Sequence, residues 1–125
     1  MRDAEDPRPQ LFAGLNGRRF LARLVAEEEG VFCGACWLEA CARDLGLQGP
    51  VLLEDGAEVH PGVVVAEFSG SALQIARGEE QLLGVIGKPS GIATAARRAV
   101  RAADGRARVV AGGWKKMPLP LKEMV

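Results

Sequence analysis

The 125-residue chain is 48% hydrophobic and 26% charged with a formal net charge of +0 at pH 7, values that describe one soluble globular domain with a single core. It holds no apolar run of about 18 residues and opens on the charged, proline-containing MRDAEDPRPQ, which argues against secretion and membrane spanning. Three cysteines cannot pair completely and fit a reducing cytoplasm. The charge is uneven: residues 1–62 carry six Arg or Lys against eleven Asp or Glu, and residues 63–125 carry ten against five. The basic half suits a phosphate-rich small molecule, whereas nucleic acid is disfavoured because no basic run is interleaved with aromatics and Tyr is absent.

Residues 1–17 read as a loosely attached arm, Met1 to Gln10, and a turn-rich lead-in. From Arg18 structure begins. Phe20, Ala22, Leu24 and Ala26 alternate with Leu21, Arg23, Val25 and Glu27 in the period of a half-buried strand. Cys33 to Leu45 reads as a helix, with Trp37, Cys41 and Leu45 four apart and Gly46 as its stop. Val51 to Leu53, Val63 to Phe68 and Ala72 to Ile75 are strand candidates between the turns Asp55-Gly56, Pro61-Gly62 and Ser69-Gly70. Gly78 to Ile86 reads as a helix ending at the Pro89 break.

Pro89-Ser90-Gly91 then opens a second helix in which Ile92, Ala95, Ala96, Ala99, Val100 and Ala103 share one face and Arg97, Arg98 and Arg101 fall on the other. Asp104-Gly105 closes it. Ala107 to Ala111 reads as a short buried strand running into Gly112, Gly113, Trp114, Lys115 and Lys116. A helix, a buried strand and a basic exit are how an α/β barrel begins, and barrels place chemistry at the carboxyl ends of their strands. Only nine residues follow Lys116, against the roughly 200 or more of a closed barrel, so the expectation is a partial chain. The expected fold is α+β, an antiparallel sheet with a packed helix over residues 18–104, followed over 105–125 by the start of an incomplete α/β barrel.

Several constellations have plainer explanations. Cys33-Gly34-Ala35-Cys36 mimics a thiol redox motif, but Glu27-Glu28-Glu29-Gly30 is not the apolar strand such a unit requires. With Cys41 it could bind zinc, yet His60 is the single His and no second CxxC supplies a fourth ligand. Buried packing cysteines are preferred. Glu54 to Glu67 looks like a biotinyl or lipoyl carrier hairpin, but no Lys precedes Lys88. The arginines of the second helix read as a solvated face, and Ser90 as a cap or, with Gly91, a helix start offering N–H groups to phosphate.

Pro89-Ser90-Gly91-Ile92-Ala93-Thr94-Ala95-Ala96-Arg97, then Ala111-Gly112-Gly113-Trp114-Lys115-Lys116-Met117-Pro118, resembles the passage from amino-terminal domain into barrel of the type II nicotinate/quinolinate phosphoribosyltransferases. Arg19 to Val31 with Gly34, Asp55-Gly56, Gly62 to Gly70 and Gly78-Glu79 resemble the same domain in the same order, so the likeness covers roughly residues 18–118. It implies an enzyme that joins a pyridine-type base to phosphoribosyl diphosphate and releases pyrophosphate. Magnesium accompanies the diphosphate in the family, although its acidic contacts sit on later barrel strands and none is expected from this chain. A homo-oligomer is implied, since in the family this domain packs on the partner subunit's barrel.

The resemblance assigns Lys115, and less firmly Lys116, to phosphate binding, and places Glu80 and Trp114 where family members carry substrate-reporting residues. Glu80 stands in place of the carboxylate-binding Arg of the quinolinate enzymes; that reversal would repel a dianionic base. Leu82-Leu83-Gly84-Val85-Ile86 looks closer to the nicotinate branch. The alternative is a non-catalytic dimerisation or interaction domain.

Overall fold

The computed structural model describes residues 5–110 and 116–124. Its elements are helix α1 (Arg8–Leu11), a 3-10 turn (Ala13–Leu15), strand β1 (Phe20–Val25), strand β2 (Gly30–Val31), helix α2 (Ala35–Asp44), strand β3 (Glu58–Val59), strand β4 (Val64–Gly70), helix α3 (Ala72–Ala103) and helix α4 (Leu119–Met124). β1 pairs antiparallel with β4, from Phe20 opposite Gly70 to Val25 opposite Val64, with a bulge between Leu24 and Val25. β2 pairs antiparallel with β3, Gly30 opposite Val59 and Val31 opposite Glu58. The architecture is therefore α+β, two small antiparallel sheets with helices packed on them.

Alternation makes β1 and β4 two-faced. Val65, Ala66 and Phe68 of β4 meet Phe32, Leu38, Ala42, Leu47 and Leu82 in one buried cluster, which joins sheet, α2 and α3. Leu38 is fully enclosed, and burying such a side chain is worth about 1.5–3 kcal/mol. Arg23 and Glu67, directly opposite one another on the two strands, form an ion pair at 3.1 Å. The segment before β3 crosses β4 closely: a Cβ on Gly49 would fall 1.9 Å from the Glu67 carbonyl oxygen, so only glycine passes there.

Helix α2 starts at Gly34, whose φ of 114° suits glycine, and its first N–H groups are satisfied from a distant turn. Asp55 Oδ1 accepts from the N–H of Gly34 at 2.8 Å and of Ala35 at 2.9 Å. Helix α3 begins with a capping box. Ser71 Oγ accepts from Gln74 N–H at 3.1 Å while Gln74 Oε1 accepts from Ser71 N–H at 2.9 Å.

Four expectations need correction. Ala72 to Ile75 is the first turn of α3 and not a strand, because the reciprocal Ser71–Gln74 cap nucleates a helix there. Pro89 does not break the chain into two helices; it lies buried inside a single helix of 32 residues. A proline in a helix interior forfeits one hydrogen bond, and here packing on both sides of it holds the axis. Before it, Leu82 sits in the core; after it, Ser90 is hydrogen-bonded to Cys33 and Thr94 to Val31 of β2. Val51 to Leu53 forms only one isolated bridge, Val51 to Ala66. Ala107 to Val110, the described part of the expected Ala107 to Ala111 strand, is exposed and unpaired, so the opening of a barrel is not seen among the described residues. The arm is also more ordered than its composition implies, with α1 formed and Asp6 3.4 Å from Arg77.

Candidate functional site

Of the residues expected to bind substrate, Trp114 and Lys115 lie outside the described residues. Lys116 is exposed just ahead of α4. Glu80 is exposed on the first half of α3, where it adds a favourable electrostatic contribution at Arg8. Ser90 lies ten residues further along the same helix, about 15 Å by the helical rise. The described structure therefore does not gather Glu80 and Ser90 at one point.

Ser90 occupies a helix interior and not a helix start, which removes the free N–H groups that a phosphate would have used. Its hydroxyl is committed to the backbone of Cys33. It accepts from the Cys33 N–H at 3.0 Å and donates to the Cys33 carbonyl at 3.1 Å. One turn later Thr94 repeats the device, accepting from the Val31 N–H at 2.9 Å and donating to the Ser90 carbonyl at 2.7 Å. Thr94 serves the edge of β2 and Ser90 the chain just past it, which fixes α3 against the β2–β3 pair. Sequence reading missed Thr94; its signal was the Ser-to-Thr spacing of four on one helical face.

Beyond this clamp, α3 presents Arg97, Arg98 and Arg101 to a small polar cleft of about 110 Å³ shared with Glu29, Glu58 and His60. Arg97 Nη1 donates to Glu58 Oε1 at 2.9 Å and Arg101 donates to the same oxygen. The Arg101 contact first, and then the fields of both arginines, hold the Glu58 carboxyl below the usual range. The arginines face solvent as expected, and two of the three also tie β3 to α3 through exposed ion pairs. Their partner lies about forty positions away, beyond the reach of a helical pattern.

A larger, apolar cleft of about 400 Å³ separates β1 from the first half of α3. Leu21, Leu24, Ile75 and Leu82 line it, Phe12 and Leu15 of the lead-in wall it, and Arg23 and Glu79 supply its charge. No disulfide joins the cysteines among the described residues: Cys33 is buried, Cys41 half-buried and Cys36 exposed. Burial, and then Asp55, raises the Cys33 thiol; burial, and then Asp44, raises Cys41. Raised thiols are poor nucleophiles, which agrees with packing roles. Among the described residues there is no group of three or more His, Cys, Asp or Glu that could hold a metal ion. No helix among them is long and apolar enough to cross a membrane.

The structure is a small α+β domain whose long helix is clamped to a strand edge and carries basic residues in its last turns. Residues 10–90 match the model of the quinolinate phosphoribosyl transferase N-terminal domain, and the chain belongs to that family. It is 39% identical over 85 residues to the probable nicotinate-nucleotide pyrophosphorylase [carboxylating] of Bacillus subtilis (strain 168), covering 66% of this chain and 29% of the relative. To the nicotinate-nucleotide pyrophosphorylase [carboxylating] of Rattus norvegicus it is 38% identical over 99 residues, covering 78% of this chain and 33% of the relative. The solved nicotinate-nucleotide pyrophosphorylase of Francisella tularensis superposes with a TM-score of 0.71 over 80% of this chain and 36% of that one, at 24% identity, which speaks for the fold. The chain spans about a third of the length of the relatives it matches.

Proposed function

We propose that these residues serve as the amino-terminal domain of a phosphoribosyltransferase that joins a pyridine-type base to phosphoribosyl diphosphate and releases pyrophosphate, a step of pyridine nucleotide and NAD biosynthesis in the cytoplasm. The observation that carries this reading is the match of residues 10–90 to the family's N-terminal domain, together with relatives named as nicotinate-nucleotide pyrophosphorylases.

Within this reading Lys115 and Lys116 contact the diphosphate, because a flexible ammonium can follow charge as it develops on a leaving pyrophosphate. Glu80 and Trp114 shape the pocket for the base, and Glu80 disfavours a base with two carboxylates. Ser90 acts at one remove, by holding α3 on the chain just past β2, at Cys33. Isothermal titration with phosphoribosyl diphosphate tests the assignment in the protein that carries this domain. Lys115→Ala is expected to weaken binding whichever base is offered, and unchanged affinity would remove Lys115 from the site.

Exposed apolar side chains favour one further reading, self-association. Leu21, Leu83 and Val100 are each about half exposed or more, at 58%, 49% and 55%, and Ala95, Ala96 and Ala99 share an uncovered face of α3. We propose a homo-oligomer formed through these faces. Sedimentation at micromolar concentration tests it: an associating species is expected, and a sharp monomer boundary would contradict it.

A further inference from the structure

The lead-in to β1 is attached to the domain in an unusual way. Among the described residues, the main-chain hydrogen bonds of residues 7–16 close within the segment itself, from Gln10 N–H to the Pro7 carbonyl through Asn16 N–H to the Ala13 carbonyl, and the last of the series, Arg18 N–H to the Leu15 carbonyl, is also local. None reaches the sheet or α3. What holds the segment down is side-chain chemistry of two kinds.

The first is apolar: Phe12 and Leu15, both half-buried, wall the cleft whose floor is Leu21, Leu24, Ile75 and Leu82. The second is ionic. Asp6 Oδ2 lies 3.4 Å from Arg77 Nε on α3, while its other oxygen accepts from Arg8 Nε at 2.8 Å and from the Arg8 N–H at 3.0 Å. Glu80, three positions after Arg77 on α3, adds its attraction for Arg8. Beyond the segment the chain turns at Gly17, whose φ of 82° needs glycine and which has no heavy atom within 4 Å of where a Cβ would stand. A segment with local main-chain bonds, two apolar anchors, one exposed ionic tie and an unobstructed glycine turn is a unit that opens independently of the core.

We propose that residues 6–16 form a hinged strap over the apolar cleft between β1 and α3, latched to α3 through Asp6 and Arg77 and swinging about Gly17. When closed, Phe12 and Leu15 form one wall of the cleft of about 400 Å³. When open, Leu24, Ile75 and Leu82 lose that wall and face solvent. The proposal does not depend on the transferase reading, since it concerns a cleft that excludes Glu80, Ser90 and Lys116.

Amide hydrogen exchange tests it, with anilinonaphthalene sulfonate as the apolar probe. Arg77→Gln cuts the tie to α3 and leaves the Asp6–Arg8 contacts intact. Because one helical turn lifted off the cleft does not hold its own hydrogen bonds, losing the tie is expected to speed exchange at Gln10, Leu11, Phe12, Leu15 and Asn16 roughly two- to five-fold, the factor that an exposed ion pair supports. Amides of β4 should not change, and dye emission should rise. The wild-type protein gives the same test without mutation: raising salt from about 0.02 M to about 0.5 M screens the latch and should loosen the strap alone. Unchanged exchange in residues 10–16 under both treatments, or equal acceleration of strap and β4, would overturn the strap.

Discussion

Thr94 Oγ1 lies 2.9 Å from the backbone nitrogen of Val31, sixty-three positions away, and this one hydroxyl closes the open edge of β2. Strand and helix meet so tightly there that a Cβ on Gly30 would stand 2.8 Å from the same oxygen. Thr94→Val keeps the shape and removes the acceptor, which leaves a partly buried N–H without its partner. A loss of about 1–3 kcal/mol is expected in urea denaturation, with Thr94→Ser closer to wild type.

Gly49 gives the severest single change. Its φ of 144° is open to glycine, and an added Cβ would meet the Glu67 carbonyl oxygen at 1.9 Å, a main-chain atom of the central strand that cannot step aside. Gly49→Ala is expected to cost roughly 4 kcal/mol or more, beyond the common range for point substitutions. Thermal melting followed by circular dichroism measures it, and a midpoint equal to wild type would show that β4 is not crossed this closely.

Asp6 sets a pH window. The Arg8 side-chain hydrogen bond first, then the Arg8 N–H and the Arg77 contact, lower its carboxyl from 3.8 to about 2. Its folded value lies below its unfolded one, so its contribution is fully present above about 4 and is lost as pH falls through about 2. Carboxyl NMR titration of Asp6 should therefore show a midpoint well under that of exposed aspartates, and Arg77→Gln should raise it.

How much of this was legible in the residues follows from the range of the interactions. β1, α2 and β4 announce themselves by local period, two for the strands and four for Trp37, Cys41 and Leu45. The family, too, is visible in the run from Pro89 to Arg97. What escaped were pairings across the chain. Pro89 reads as a break because the proline rule is local, whereas the axis is held by Leu82 in the core, by Ser90 on Cys33 and by Thr94 on Val31 of β2. Arg97 and Arg101 face solvent as their helical position indicates, but their shared pairing with Glu58 was invisible because Glu58 is far away in sequence. Ala107 to Val110 has the composition of a strand, and a strand needs a neighbour; none pairs with it among the described residues.

Glu80 should govern which base is accepted and little else. In the protein that carries this domain, Glu80→Arg is expected to shift preference toward acidic bases, by removing a repulsive carboxylate and adding a bidentate donor, with phosphoribosyl diphosphate affinity unchanged. Competition between nicotinate and quinolinate, read from the product ratio, measures the shift. An unaltered ratio would place Glu80 outside the pocket and leave it to its attraction for Arg8.

The central claim is that residues 10–118 form a competent amino-terminal domain for base-dependent pyrophosphate release. A chimera tests it most directly, with this stretch replacing the corresponding part of the Bacillus subtilis relative and pyrophosphate followed in the presence of phosphoribosyl diphosphate and each base in turn. Release that requires both substrates is expected from the chimera and none from the 125 residues alone. A chimera that folds, by circular dichroism and cooperative melting, yet releases no pyrophosphate with any base while its parent does, would contradict the account.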